Sequence, residues 1–272
     1  MRFNWKKTLL VSLDVALAIY LVQAVTAFNK PDNRADVCSK VGIDIADENV
    51  NGFLSAQEIK RILERNRLYP LSQPMRYVDP RKIEEVLTGS PFVKTAECYK
   101  TQDGRVCITL TQRLPIVRIK NEKGEDYYLD DNGGIMPNSK YTSDLIIVTG
   151  YVPQWYAQHY IYLLAETLMT SDLWRNQVEQ INVLPNRGIE IVPRVGNHIV
   201  FLGYLPEFKS AKKRKTEVPK FVEKKLNRLE KFYKYGLSQA GWNKYSYISL
   251  EFDNQIICKK RSETPPATEQ KE

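Results

Sequence analysis

A chain of 272 residues that is 43 % hydrophobic and 26 % charged carries enough apolar material for one large or two small folded domains, which excludes wholesale disorder. The net charge of +8 is not spread evenly: between Lys209 and Lys234 eleven Lys and Arg face three Glu, a surplus of eight, and the rest of the chain is balanced. A general nucleic-acid-binding role is thereby excluded, and four cysteines without a CxxC, with only His159 and His198 as imidazoles, suggest no zinc site.

The first element is the almost uncharged run from Thr8 to Phe28, preceded by Arg2, Lys6 and Lys7. As a helix it is about 30 Å long, the hydrocarbon thickness of a bilayer. Asp14 and Gln23 oppose insertion, Asp14 by about 2.5 to 3.5 kcal/mol, and the surrounding Leu, Val and Ile outweigh them. The run reads as an uncleaved anchor; Val25, Thr26 and Ala27 also fit the small-residue end of a cleaved signal peptide. Either reading exports the rest of the chain. The basic residues before the run favour a cytoplasmic amino terminus over residues 1–7, a membrane-spanning helix over 8–28 and a polar spacer over 29–36.

Val41, Ile43 and Ile45 then alternate on one face, predicting a strand over Val37 to Ile45. Ser55 and Glu58 form an S-x-x-E capping box ahead of Ile59, Ile62 and Leu63, predicting a helix from Ala56 to Asn66. Asp79 and Pro80 open a second helix that Gly89 ends, and strands over Phe92 to Lys100 and Val106 to Arg113 flank a turn at Asp103 and Gly104. Residues 37–114 thus read as a small βααββ domain. If Thr101 to Gly104 is a four-residue loop, Cys98 falls opposite Cys107, within reach of a cross-strand disulfide in an oxidising compartment; the alternative is two unpaired, half-buried thiols. Asp47, Asn49, Asn51, Gly52, Leu54, Ser55 and Glu58 also match the spacing of a calcium-binding EF-hand loop. An EF-hand needs an entering helix where Val37 to Ile45 reads as a strand, and the capping box already explains Ser55 and Glu58, so no metal is expected.

Residues 115–260 read as a larger mixed domain, with an antiparallel β-sheet and flanking helices. Short strands are predicted at Ile116 to Lys120, Tyr127 to Leu129, Leu145 to Thr149, Ile181 to Leu184, Gly188 to Val192 and His198 to Leu202, with a turn at Asp131 to Gly134. Trp155 to Leu168 is a helix whose aromatic residues are most simply core. Pro219 is expected to begin the basic helix, with Phe221, Val222, Leu226, Leu229 and Tyr233 as its apolar stripe and Gly241 as its stop. Its cations form a solvated face or attract anionic lipid or an acidic partner. Tyr247 to Phe252, a turn at Asp253 and Asn254, and Gln255 to Cys258 close the fold, and residues 261–272, rich in Pro, Thr and Glu, are expected to be disordered.

Catalytic motifs are missing. His159 and His198 adjoin no evident Ser or Cys nucleophile, there is no Gly-rich phosphate loop, HExxH or GxSxG, and Asp130 and Asp131 precede a Gly-rich turn that explains them. The expected function is binding, with no cofactor and no small-molecule substrate. A terminal strand has no later chain to pair its outer backbone groups, so Tyr247 to Cys258 is the expected partner-binding edge.

Phe53, Leu54 and Ser55 stand before a helix, Ser90, Pro91, Phe92 and Val93 enter a strand, Gln112, Arg113, Leu114 and Pro115 leave one, Tyr128 to Gly134 form a turn, and Tyr247 to Phe252 come at the end. In these motifs and their order the chain resembles the bacterial cell-division FtsQ/DivIB family over nearly its whole length. Ser249 and Glu251 stand where the family often has Asp and Arg. The resemblance implies an α+β protein with a transmembrane helix, a POTRA domain and a β domain. It further implies a single-pass inner-membrane scaffold at the division septum that has no reaction of its own, binds FtsB and FtsL and helps to control septal peptidoglycan synthesis. It places FtsB at the terminal strand, where Tyr247, Leu250, Phe252, Asn254 and Ile256 are the candidate contacts. Phe252 has a second reading, facing the core with Ile248 and Leu250, which would leave Ile256 as the exposed contact. The alternatives to this function are an exported POTRA-containing assembly or binding protein outside the division complex, and an envelope hydrolase using His159 or His198.

Overall fold

The computed structural model describes residues 5–28, 37–46, 54–139 and 145–261. The polar spacer, the greater part of the EF-hand-like stretch (residues 47–53) and the carboxyl-terminal segment from residue 262 lie outside them. The first helix, α1 (Trp5–Phe28), contains an apolar window, Leu9–Thr26, long enough to cross a membrane. Every described side chain of that window other than Ala24 is exposed, as a lipid-facing surface would be.

The rest forms two compact units. The first is built on β1 (Lys40–Ile45), α2 (Ala56–Arg65), α3 (Pro80–Thr88), β2 (Val93–Lys100) and β3 (Arg105–Gln112), with sheet order β1-β3-β2. Asp79 caps α3 by accepting from the Lys82 amide at 3.3 Å, and Pro80 follows at the first helical position, where its missing N–H costs nothing. Ile59 and Leu63 of α2, Ile83 and Leu87 of α3, and Val106, Ile108 and Leu110 of β3 are fully buried. β1 runs parallel to β3, Gly42 opposite Cys107.

The β2–β3 turn corrects the expected register. The Thr101 amide donates to the Arg105 carbonyl at 2.9 Å, so these two residues face each other across three loop residues, with Gly104 at φ +76°. Thr101 also bonds Asp103, whose carboxylate meets Arg105 Nε at 2.7 Å. A loop one residue shorter than expected brings Cys107 opposite Tyr99 instead of Cys98, and a slip of one residue turns a side chain to the other face. Cys98 is buried, Cys107 is half-buried beside Tyr99, and both are free thiols, so the expected disulfide gives way to the unpaired reading. Burial, with the Glu84 carboxylate second, pushes the Cys98 thiol up to about 12.

The second unit is a nine-stranded sheet. Its strands are β4 (Pro115–Asn121), β5 (Asp126–Asp130), β6 (Ile135–Pro137), β7 (Ile147–Gly150), β8 (Val178–Val183), β9 (Gly188–Pro193), β10 (Ile199–Tyr204), β11 (Tyr245–Ser249) and β12 (Ile257–Lys260), in the order β12-β11-β10-β9-β8-β7-β4-β5-β6. The sheet is mainly antiparallel, but β10–β11, β7–β8 and β4–β7 pair in parallel. Two helices cover one face. α4 (residues 154–170) contains a π-helical stretch, Ala157–Ile161, and α5 (Asp172–Gln177), unforeseen in the sequence, comes after it. α6 (Ala211–Phe232) runs on through a π-helical turn, Tyr233–Leu237. Tyr156, Tyr160, Leu164 and Leu168 of α4 and Val222, Leu226 and Leu229 of α6 share one core with Ile181, Ile191, Val200 and Ile248 of the sheet.

Pro219 does not begin α6; the helix starts eight residues earlier and Pro219 lies inside it. Its early turns are fastened from outside, because Arg214 Nη1 donates to the Phe208 and Lys209 carbonyls at 2.9 Å each and the guanidinium lies over the Tyr160 ring. Fully buried Val218 adds to that anchorage, which offsets the hydrogen bond that proline cannot make. Asp130 accepts from the Asn132 and Gly134 amides at 2.9 and 2.6 Å and from Arg113 Nε at 2.8 Å, so this carboxylate builds the turn. Gly133 there has φ +75°, and a Cβ on it would lie 2.5 Å from the Gln158 carbonyl oxygen.

Candidate partner-binding edge

The last hairpin positions the candidate residues. β11 lies between β10, with Ile199 opposite Tyr247 and Phe201 opposite Ser249, and β12, with Tyr247 opposite Lys259 and Ser249 opposite Ile257. β12 ends the sheet, and among the described residues no strand pairs with its outer side. The edge is therefore β12, one strand beyond Tyr247 to Phe252.

Alternation then sorts the side chains. Ile248 and Leu250 are fully buried on the helix-covered face, and Ile256 and Cys258 pack against the same core. Leu250, a candidate contact, is therefore core, and Ile256, the exposed contact expected if Phe252 faced the core, is half-buried. On the opposite face Tyr247 stacks on Phe201, with ring centroids 6.4 Å apart, and donates to Glu190 Oε1 at 3.2 Å. Burial, with the Glu190 carboxylate beside it, pushes the Tyr247 hydroxyl up to about 12. Phe252 stands out from the connection at 50 % exposure, against the core-facing reading, and Asn254 is exposed next to it. Ile257, at 49 % exposure, was not singled out in the sequence; its signal is its register with Ser249, which cannot be counted until the length of the connection is known.

The connection between the strands is held from α6. Lys225, its side chain 2 % exposed, donates from Nζ to the Leu250 and Glu251 carbonyls at 2.7 Å each and lies 3.6 Å from Asp253 Oδ1. Lys224 Nζ meets Asp253 Oδ2 at 2.8 Å, and Arg228 Nη2 donates to the Gln255 carbonyl at 2.8 Å. Hydrogen bonding to Lys224 holds the Asp253 carboxyl below its ordinary range, while burial lowers Lys225. Three cations of the basic helix therefore fix the connection, and Lys231 stays exposed.

The imidazoles sit in structural settings. His159 Nδ1 is 2.8 Å from the Trp155 carbonyl and the ring stacks on Trp155. His198 is buried, its Nε2 2.7 Å from the Tyr233 hydroxyl, and burial, with Arg261 second, lowers its pKa. Among the described residues no group of His, Cys, Asp and Glu could hold a metal ion.

Comparison with known proteins agrees with this architecture. Residues 36–111 match the POTRA-like domain, and residues 114–259 match the family described as FtsQ/DivIB, C-terminal related. No curated protein matches the chain. Both families are non-enzymatic scaffolds. With an apolar helix at its start, a POTRA-like domain and a carboxyl-terminal match over more than half its length, the chain is a division-associated POTRA protein and belongs to the FtsQ/DivIB family.

Proposed function

We propose that this protein is a single-pass inner-membrane scaffold of the bacterial division complex, and that a strand from an FtsB/FtsL-type partner adds to its β12 edge. The observation that carries this reading is a strand end with no pairing partner among the described residues, flanked by exposed Phe252 and Ile257 and braced by Lys225 and Arg228. Backbone pairing along such an edge supplies affinity, and the flanking side chains supply specificity. The bracing matters because an edge that is already ordered gives up little entropy on docking. In this reading α1 spans the membrane, the flank bearing Arg2, Lys6 and Lys7 is cytoplasmic, and both domains are periplasmic at the septum, where the bound partners link to peptidoglycan synthesis.

Titration of the detergent-solubilised full chain with the partner's periplasmic segment tests the edge. Phe252→Glu and Ile257→Glu should each weaken binding by about 2 kcal/mol or more, roughly thirtyfold, without loss of secondary structure. Unchanged affinity in both variants would put the interface elsewhere. An intact amino terminus in the membrane fraction supports the anchor, whereas a mature protein beginning at Phe28 would favour the exported alternative.

A further inference from the structure

Between α2 and α3 of the first unit runs a loop, residues 66–79, whose backbone is tied down at several points. The Cys38 amide donates to the Gln73 carbonyl and the Ser72 amide to the Cys38 carbonyl, both at 2.9 Å. Val37 faces Pro74 in an antiparallel bridge, and Gln73 Nε2 donates to the Tyr69 carbonyl at 3.0 Å. Ser72 is held at φ +63°, a conformation uncommon outside glycine that these bonds impose. Buried Pro70 and Val78 moor the loop to its unit.

A loop so fixed could turn its apolar side chains inward, and it does the reverse. Tyr77 is 68 % exposed, Val37 44 % and Leu71 43 %; Leu71 and Tyr77 each stand three residues from Pro74, the partner of Val37. The charge around them has one sign. From Asn66 to Val78 the loop carries Arg67 and Arg76, both exposed, and no acid, and Lys100 Nζ donates to the Met75 carbonyl at 2.7 Å. Arg76 lies over the Tyr77 ring at 4.8 Å. Aliphatic and tyrosine side chains among cations compose a surface suited to the headgroup layer of a bilayer, where Tyr sits at the boundary, apolar tips reach below it and cations meet phosphate.

Position in the chain supplies the occupant. Val37 is nine residues beyond Phe28, the end of α1, so the bridge lies within about 30 Å of that helix end whatever path the chain takes. A peptide partner has to find the loop from solution, whereas the bilayer that α1 enters is tethered to it, and a short tether gives an effective concentration at which weak contacts suffice. We propose that this loop is a membrane-docking surface: Leu71, Tyr77 and Val37 enter the interfacial layer, and Arg67, Arg76 and Lys100 pair with the phosphates of anionic lipid. Docking presupposes that α1 spans the membrane, as proposed above, and adds a second, reversible attachment through the first unit.

Tyr235 of the second unit provides an internal standard for the test, being the same side chain, 63 % exposed, with Lys234 over its ring at 5.4 Å. The full chain is reconstituted at one copy per nanodisc, in phosphatidylcholine or in equal parts of phosphatidylcholine and phosphatidylglycerol, and hydroxyl-radical modification is read residue by residue by mass spectrometry. With three cations at an anionic surface, Tyr77 should react about threefold or more slower than Tyr235, and in the neutral discs the two rates should draw together. Arg67→Glu with Leu71→Asp, both at exposed sites, should return Tyr77 to the rate of Tyr235 in either lipid, with the β3 amides as slow to exchange as before. Equal rates for the two tyrosines in anionic discs, with Leu9–Thr26 protected, would overturn docking and leave the anchor standing; a reactive Leu9–Thr26 would overturn the anchor and docking with it. Protection of Tyr77 that survives the double substitution would assign it to another contact, and protection confined to discs holding two copies would assign the loop to a second chain; either result overturns the proposal.

Discussion

The two hairpins formed by β2–β3 and β11–β12 hold their register by different means. In β2–β3 everything needed lies within five residues: Thr101, Asp103 and Arg105 bond one another and Gly104 takes the left-handed conformation that closes the loop. In β11–β12 the connection is longer, and three cations from α6, 22 to 29 residues away in sequence, clamp its carbonyls and Asp253. A local turn fixes its strands whatever surrounds it; a clamped connection is only as well ordered as the helix it leans on. The second arrangement suits a docking edge, because the strand's position depends on a long helix that packs across the whole core.

The largest difference between the hairpins should appear in Lys225→Met. It keeps a long apolar stem but leaves the buried Leu250 carbonyl with only Arg228, at 3.4 Å, and frees that of Glu251. Unpaired buried acceptors cost about 1 to 3 kcal/mol each. Amide exchange followed by mass spectrometry should show residues 250–260 opening roughly thirtyfold or more faster, for about 2 kcal/mol of lost local stability, while β2–β3 is unchanged. Equal acceleration in both hairpins would mean that the clamp supports global stability instead of this edge.

Lys225 also shows what was legible in the sequence. The amphipathic stripe of α6 was readable from Val222, Leu226 and Leu229, but a lysine one residue from that stripe reads as solvated until the carbonyls it serves are known. The same limit hid the parallel pairings of β10 with β11 and β4 with β7, which join segments far apart and leave no local period. α5 was missed although Ser171 accepts from the Trp174 amide at 3.3 Å, since six residues are too few for a helical period to stand out. At β2–β3 both strands were legible and only the loop length was not, yet one residue sufficed to separate Cys98 from Cys107. Of the candidate edge, the segment was legible; which side chains face outward depended on where β12 resumes after the connection.

A smaller effect is expected at Gly104. Gly104→Val forces a β-branched residue to φ +76° and should cost about 1 to 2 kcal/mol, confined to the first unit. Melting of that unit, followed by exchange of its β3 amides, reads the change, and residues 250–260 should not respond. Thiol alkylation sharpens the same point. In the folded chain at pH 8, iodoacetamide should leave Cys98 unmodified, because burial keeps it protonated, and after unfolding without reductant both Cys98 and Cys107 should be modified. Protection of both thiols in denaturant would restore the disulfide and the four-residue loop with it.

The smallest effect concerns pH and the buried His198–Tyr233 pair. His198 is buried against Tyr233, and its folded pKa lies below the ordinary 6.5 because burial penalises the imidazolium and Arg261 adds to the penalty. As pH falls below 6.5 the unfolded chain takes up this proton and the folded chain does not, so stability declines until the folded pKa is reached and levels off beneath it. Asp253 acts in a separate window: its depressed pKa contributes stability that is present above the ordinary carboxylate range and is lost only as pH falls through the lower, folded value. Between pH 6.5 and 5 the melting temperature of the second unit should therefore fall gently with acid. In His198→Gln that slope should be reduced, with the Tyr233 hydroxyl still offered an amide partner. The β2–β3 hairpin has no histidine in its unit and should show no such slope. A slope that persists undiminished in His198→Gln would assign the acid sensitivity to other groups and leave the His198–Tyr233 pair as packing alone.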